Sequence, residues 1–160
     1  MGQSELASAT AEALASGDAA ALILLGRSQA SIQPVFDAIN TKYPKVKVIF
    51  ITVDACKLHS VRGAADIIRK LDVTIDGVAG FPSLMAAPWD ITPDGVEAHF
   101  QVNYLANWVL INRLMEGLGE DARVVMVSSS IRPDAKALIF EDPNFDVRLS
   151  VLFLWMSIFF

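Results

Sequence analysis

The chain has 160 residues, enough for one domain with a real hydrophobic core. It carries 13 Lys and Arg against 18 Asp and Glu, a net charge of −5 with no basic block, so nucleic acid is not an expected partner. A single cysteine, Cys56, excludes an internal disulfide and a Cys-rich metal site, and His59 and His99 have no metal-ligand spacing, so no metal is expected.

The N-terminus lacks a basic start followed by an apolar core, so a reduced, cytoplasmic compartment is the default. Ser4 to Ala15 is Ala-rich with strong helix formers, closed by Gly17-Asp18. Ala20 to Leu25 reads as a buried strand ending at Gly26-Arg27-Ser28. Ser31 to Lys42 is amphipathic, with Ile32, Val35, Phe36 and Ile39 on one face. Lys45 to Val53 is β-branched and alternating, a strand ending at Asp54. Leu58 to Leu71 predicts a helix with Val61, Ala65, Ile68 and Leu71 inward, and Val73 to Ala79 a weaker strand interrupted by Asp76-Gly77. Alternating helices and strands imply one α/β domain with a parallel sheet and right-handed crossovers.

The stretch from Ile91 to Ser130 organises the rest. Thr92 predicts a helix cap with Pro93 in the first turn. Phe100, Tyr104, Ile111, Met115 and Leu118 recur at helical spacing, and Gly117 and Gly119 predict the stop. Ala122 to Val127 is a short apolar run of the kind that a parallel sheet buries on both faces, and it leads into Ser128, Ser129 and Ser130. Asn103 is a polar residue among apolar helix neighbours. Taken alone, Asn103 reads equally as a solvent-facing position, the serines as a structural turn, Arg27 and Arg113 as solvated arginines, and Asp54 as a turn or cap residue. Tyr43-Pro44-Lys45-Val46-Lys47 has Tyr-x-x-x-Lys spacing, but Pro44 and the following strand pattern prevent one helix from carrying both side chains.

The core VNYLANWVLINRL followed by RVVMVSSS, with MAAPW and TPDG before it, resembles the short-chain dehydrogenase/reductases, above all the retinol-dehydrogenase-like members common in fungi. The resemblance covers roughly residues 7–146 and implies a Rossmann-like doubly wound parallel sheet. It implies Asn103 and Ser129 as members of the catalytic set, with Ser128 as the next candidate for the serine. It implies cofactor contacts at Arg27 and Ser28, which would take the 2′-phosphate of NADP, and at Asp54, which would border the adenine. Arg113 matches a position that is often basic in fungal relatives and is a further candidate for the cofactor-binding set. Gly80, Phe81, Pro82 and Ser83 stand where the family shows Asn-Asn-Ala-Gly, so no role is carried over there.

Two departures bound the likeness. Ala7 falls where the last glycine of the family's phosphate-binding turn would be, so the first strand and its Gly-rich loop are expected to be missing. After EDPNFD the family continues to a Tyr-x-x-x-Lys helix, whereas this chain runs into VRLSVLFLWMSIFF. The expectation is an incomplete NADP-binding domain over residues 1–146 and a hydrophobic tail over 147–160. That tail has the look of translated intron sequence and is too short to span a bilayer. Loss of a central strand would leave two unpaired edges and a poorly stable, aggregation-prone chain, unless the tail fills the slot. The expected function is hydride transfer between NADP(H) and a small-molecule secondary alcohol or ketone, in fungal secondary metabolism, with a homodimer through the long helix. The alternative is a catalytically inactive, truncated relative serving as an interaction module.

Overall fold

Ser28 sets the first helix boundary that the apolar pattern misses. Its backbone is extended and its Oγ accepts from the Ser31 amide at 3.3 Å, so the helix begins at Gln29. The computed structural model describes residues 5–85, 87–128 and 142–144. The chain divides into two compact units, Met1–Asp54 and Ala55–Phe160.

The first unit contains α1 (Glu5–Ser16), β1 (Ala21–Gly26), α2 (Gln29–Lys42) and β2 (Lys47–Thr52). The two strands pair in parallel, in register from Ala21 opposite Lys47 to Gly26 opposite Thr52. Ala11, Ala15, Ile39 and Val46 form the buried centre, with Leu22, Leu24, Val35, Tyr43 and Val48 packed against it. Small alanines on α1 let α2 approach, and Lys42 pairs with Glu12 between the two helices. Gly26 at the end of β1 leaves room for the Ile32 side chain of α2, since a Cβ there would stand 2.7 Å from Ile32 Cδ1 and push it aside. Tyr43 caps α2 and Lys47 opens β2, so the Tyr-x-x-x-Lys spacing spans a turn and not a helix.

The second unit runs α3 (Leu58–Arg69), β3 (Ile75–Gly80), α4 (Ala98–Phe100), a π-helical turn (Gln101–Leu105), α5 (Ala106–Leu114), a 3₁₀ turn (Met115–Gly117) and β4 (Leu118–Met126). β3 and β4 pair in parallel, with an irregularity between Ile75 and Gly77. Leu58, Val61, Ala64, Ala65 and Ile68 are the buried face of α3, which packs on α5. Ion pairs from Arg113 to Asp66 and from Arg69 to Glu116 flank the described side chains of that contact. Within each unit the two strands pair in parallel, as the alternating pattern requires, and among the described residues they form two two-stranded sheets.

Three expectations change. Thr92 does not cap the long helix. The chain first makes a tight turn closed by Gly95 N–H to Thr92 O (2.9 Å) and Thr92 N–H to Val96 O (2.9 Å), with Gly95 at φ +78°. A left-handed residue cannot continue a helix, so the helix starts at Ala98 and Glu97 caps it, accepting from the Phe100 amide at 2.8 Å. The apolar stripe also breaks. The π turn inserts a residue and rotates everything after it, so Met115 is exposed while Ala106 and Leu114 are buried. Lastly, β4 is not buried on both faces: Val124 and Val125 are exposed, since β4 pairs only with β3 among the described strands. No described helix is long and apolar enough to cross a membrane.

Ile39 is fully buried at the centre of the first unit. Ile39→Ala should lower that unit's stability by about 2–5 kcal/mol, read as a lower urea midpoint by circular dichroism.

Candidate active site

Open parallel sheets present their ligand-facing residues at the carboxyl ends of the strands. In the first unit the Val53 amide donates to Gly26 O at 2.9 Å, which holds the ends of β1 and β2 side by side. Arg27 and Ser28 leave one strand end, and Asp54 follows the other. Arg27 is exposed and makes no ion pair among the described residues, while Asp54 is half-buried. Ser28 accepts from the Ser31 amide with one lone pair of its hydroxyl oxygen, which leaves the hydroxyl proton to donate. A guanidinium, a hydroxyl and the first-turn amides of a 14-residue helix make this strand end suited to a phosphate.

The second unit positions Asn103 in the middle of the π turn. Its Oδ1 accepts from the Leu84 amide at 2.8 Å and its Nδ2 donates to Leu84 O at 3.0 Å. The carboxamide thus pairs with a whole peptide of the loop after β3, as one strand pairs with another. A π turn loosens the carbonyls it contains, since the Ala106 amide reaches back five residues to Gln101 O. Asn107 Nδ2 takes up two of them, Val102 O at 3.1 Å and Asn103 O at 3.3 Å. At Gly80, the end of β3, a Cβ would run into the Met126 thioether and come within 3.5 Å of Asn107 Oδ1. Glycine there allows β4 and the helix to close on the strand end.

Two further polar clusters are built from the segment that leads to Asn103, and apolar periodicity marks neither. Gln101, fully buried, accepts from Thr92 Oγ1 at 2.6 Å and donates to Asp94 Oδ2 (2.9 Å) and Ala55 O (3.2 Å). Asp94 also accepts from the Leu58 amide at 2.7 Å, and these bonds hold its carboxyl below the usual carboxylate range, led by the Leu58 bond. Glu97 and His99 are both buried, with His99 Nδ1 2.7 Å from Glu97 Oε1. Burial pushes the Glu97 carboxyl up, but bonds from His99 and the Phe100 amide outweigh it and the net shift is downward. Asn144 clips this corner in place, accepting from the Glu97 amide (3.0 Å) and the Trp89 indole (2.8 Å) and donating to Gly95 O (3.2 Å). The available signal is a run of polar residues, Thr92, Asp94, Glu97 and Gln101, in the turn and first helical residues ahead of Asn103.

Among the remaining candidates, Arg113 Nη2 donates to Asp66 Oδ1 at 2.8 Å, on the side of α5 that meets α3. Ser128 is exposed just past β4, and Ser129 lies outside the described residues. The described residues contain no group of three or more His, Cys, Asp and Glu suited to a metal ion.

The chain is similar to a short-chain dehydrogenase/reductase, drtF, of Aspergillus calidoustus, with 33% identity over 92 residues, covering 58% of this chain and 29% of that protein. It is also similar to the oxidoreductase fscI of Fusarium equiseti, with 31% identity over 147 residues, covering 88% of this chain and 57% of that protein. No protein-family model matches. Among solved structures, a protein from Mycobacterium paratuberculosis superposes with a TM-score of 0.75 at 28% identity, covering 94% of this chain and 51% of that one. A Serratia marcescens short-chain dehydrogenase/reductase variant superposes with a TM-score of 0.67 at 15% identity over 94% of this chain and 57% of that one, which supports a shared Rossmann-like fold. The chain therefore spans about a third to a little over half of the curated relatives' lengths.

Asn103→Ala should leave the Leu84 N–H and C=O unpaired, at a cost of about 1–3 kcal/mol, and speed hydrogen exchange at the Leu84 amide before that at α3. The Glu97 carboxyl, lowered in the folded state, stabilises the fold above the ordinary glutamate range and loses that contribution as pH falls through its folded pKa. Acid titration of unfolding should accordingly show a shallower decline in Glu97→Gln than in the parent chain.

Proposed function

The chain belongs to the short-chain dehydrogenase/reductase family, and we propose that it is part of an NADP-dependent oxidoreductase acting between a secondary alcohol and a ketone. One observation carries the cofactor choice. Arg27 stands at the carboxyl end of β1, beside the N-terminus of α2, with no counter-ion among the described residues. An adenosine ribose bearing a 2′-phosphate would complete that charge, whereas a bare 2′-hydroxyl calls for an acidic residue there. Arg27 and Ser28 would hold the phosphate, and Asp54 would border the adenine.

NADP(H), when bound, supplies or accepts the hydride. Asn103 fixes the loop after β3 through the Leu84 peptide, so that loop and the π turn hold one arrangement. Ser129 would donate a hydrogen bond to the substrate oxygen and steady the charge that develops on it. Arg113, already engaged with Asp66, would contribute to the cofactor side only through that pair. A cytoplasmic location and a place in fungal secondary metabolism accord with this reading.

The test is cofactor binding by NADPH fluorescence. The chain should bind NADPH about tenfold or more tightly than NADH, and Arg27→Ala should abolish the difference, mainly by weakening NADPH. Equal binding of the two cofactors by the parent chain would overturn the assignment to NADP.

A further inference from the structure

Gln101 is an expensive choice for a fully buried helix position. A leucine of similar volume would fill the space without desolvating an amide, so the carboxamide is retained for its bonds. All of its bonds leave its own helix. Two go to the turn at residues 92–94, through Thr92 Oγ1 and Asp94 Oδ2, and one goes to Ala55 O, 46 residues away. Asp94 Oδ2 then accepts a second bond from the Leu58 amide, the first residue of α3. That helix needs it, because its own N-cap, Lys57, makes no side-chain cap bond. The turn 55–58 is consequently held at both ends by one Gln–Asp pair, at Ala55 O by Gln101 and at Leu58 N by Asp94.

We infer that Gln101 is a positioning residue that fixes the turn 55–58, which directly follows Asp54 in sequence, from the helix that carries Asn103. Gln101 opens the π turn and Asn103 lies two residues further on. A movement of the π turn that carries Asn103 also carries the carboxamide that holds Ala55 O. The coupling runs through two bonds converging on a single oxygen, Asp94 Oδ2, and depends on acceptance and not on charge. Its consequence for adenine binding rests on the functional reading above. The coupling itself does not.

Site-resolved hydrogen exchange on the full chain tests it with Gln101→Leu, Asp94→Ala and Asp94→Asn. Leu58 should exchange about tenfold faster in the first two variants, with Leu84 unchanged. Asp94→Asn should behave like the parent chain, because its Oδ1 can accept both bonds. Uniform acceleration across residues 55–128, or an unchanged Leu58, would overturn the inference. If Gln101→Leu fails to fold, Asp94→Ala, at an exposed residue, still decides the point. Binding of 5′-AMP, followed by titration calorimetry, should weaken about tenfold in Asp94→Ala and remain unchanged in Asp94→Asn. Equal affinity in all variants would overturn the link to the nucleotide. Absence of 5′-AMP binding by the parent chain would instead count against the proposed function, and the exchange pattern at Leu58 alone would then decide for or against Gln101.

Discussion

A buried carboxamide has two N–H groups and a carbonyl oxygen that must each find a partner away from bulk water. The Gln101 side chain meets all three with partners from outside its helix, and the second unit is arranged around that requirement. Thr92 is drawn into the interior to donate to it, which commits the chain to the turn at Pro93, Asp94 and Gly95. Asp94, placed by that turn, becomes the cap of a helix 36 residues earlier in the chain. Residues with no local reason to interact are joined because one amide must be satisfied.

The π turn is the second determinant. It opens the helix at Gln101–Leu105, and two asparagines close the opening. Asn103 reaches outward to the Leu84 peptide and Asn107 reaches back to the loosened carbonyls. The same extra residue shifts the phase of the helix, which explains why Met115 and Trp108 face solvent while Leu114 packs inward. Local backbone irregularity and polar side chains at a candidate site are here the same feature.

Each two-stranded sheet satisfies only one edge of each strand by pairing among the described residues. The strands are correspondingly half-buried, and exposed Val124 and Val125 are the visible cost. The chain spans only 29% and 57% of the lengths of two curated relatives it matches.

Sequence alone determined the element types, their order and the parallel sense of the strands, because those follow from apolar periodicity and from alternation of helix and strand. It also marked Arg27, Asp54 and Asn103 by type and position, and it ruled out a helix across Tyr43 and Lys47 through Pro44. It did not determine where the long helix begins, which of its faces is buried, or what Gln101, Asp94 and Asn144 do. A 3.6-residue count cannot register an inserted π residue, and capping preferences describe only neighbours along the chain. The bonds from Asp94 to Leu58 and from Asn144 to Glu97 join residues 36 and 47 positions apart. Only the tertiary structure brings such groups within reach, because the need that pairs them, satisfying buried polar atoms, exists only once the chain has folded.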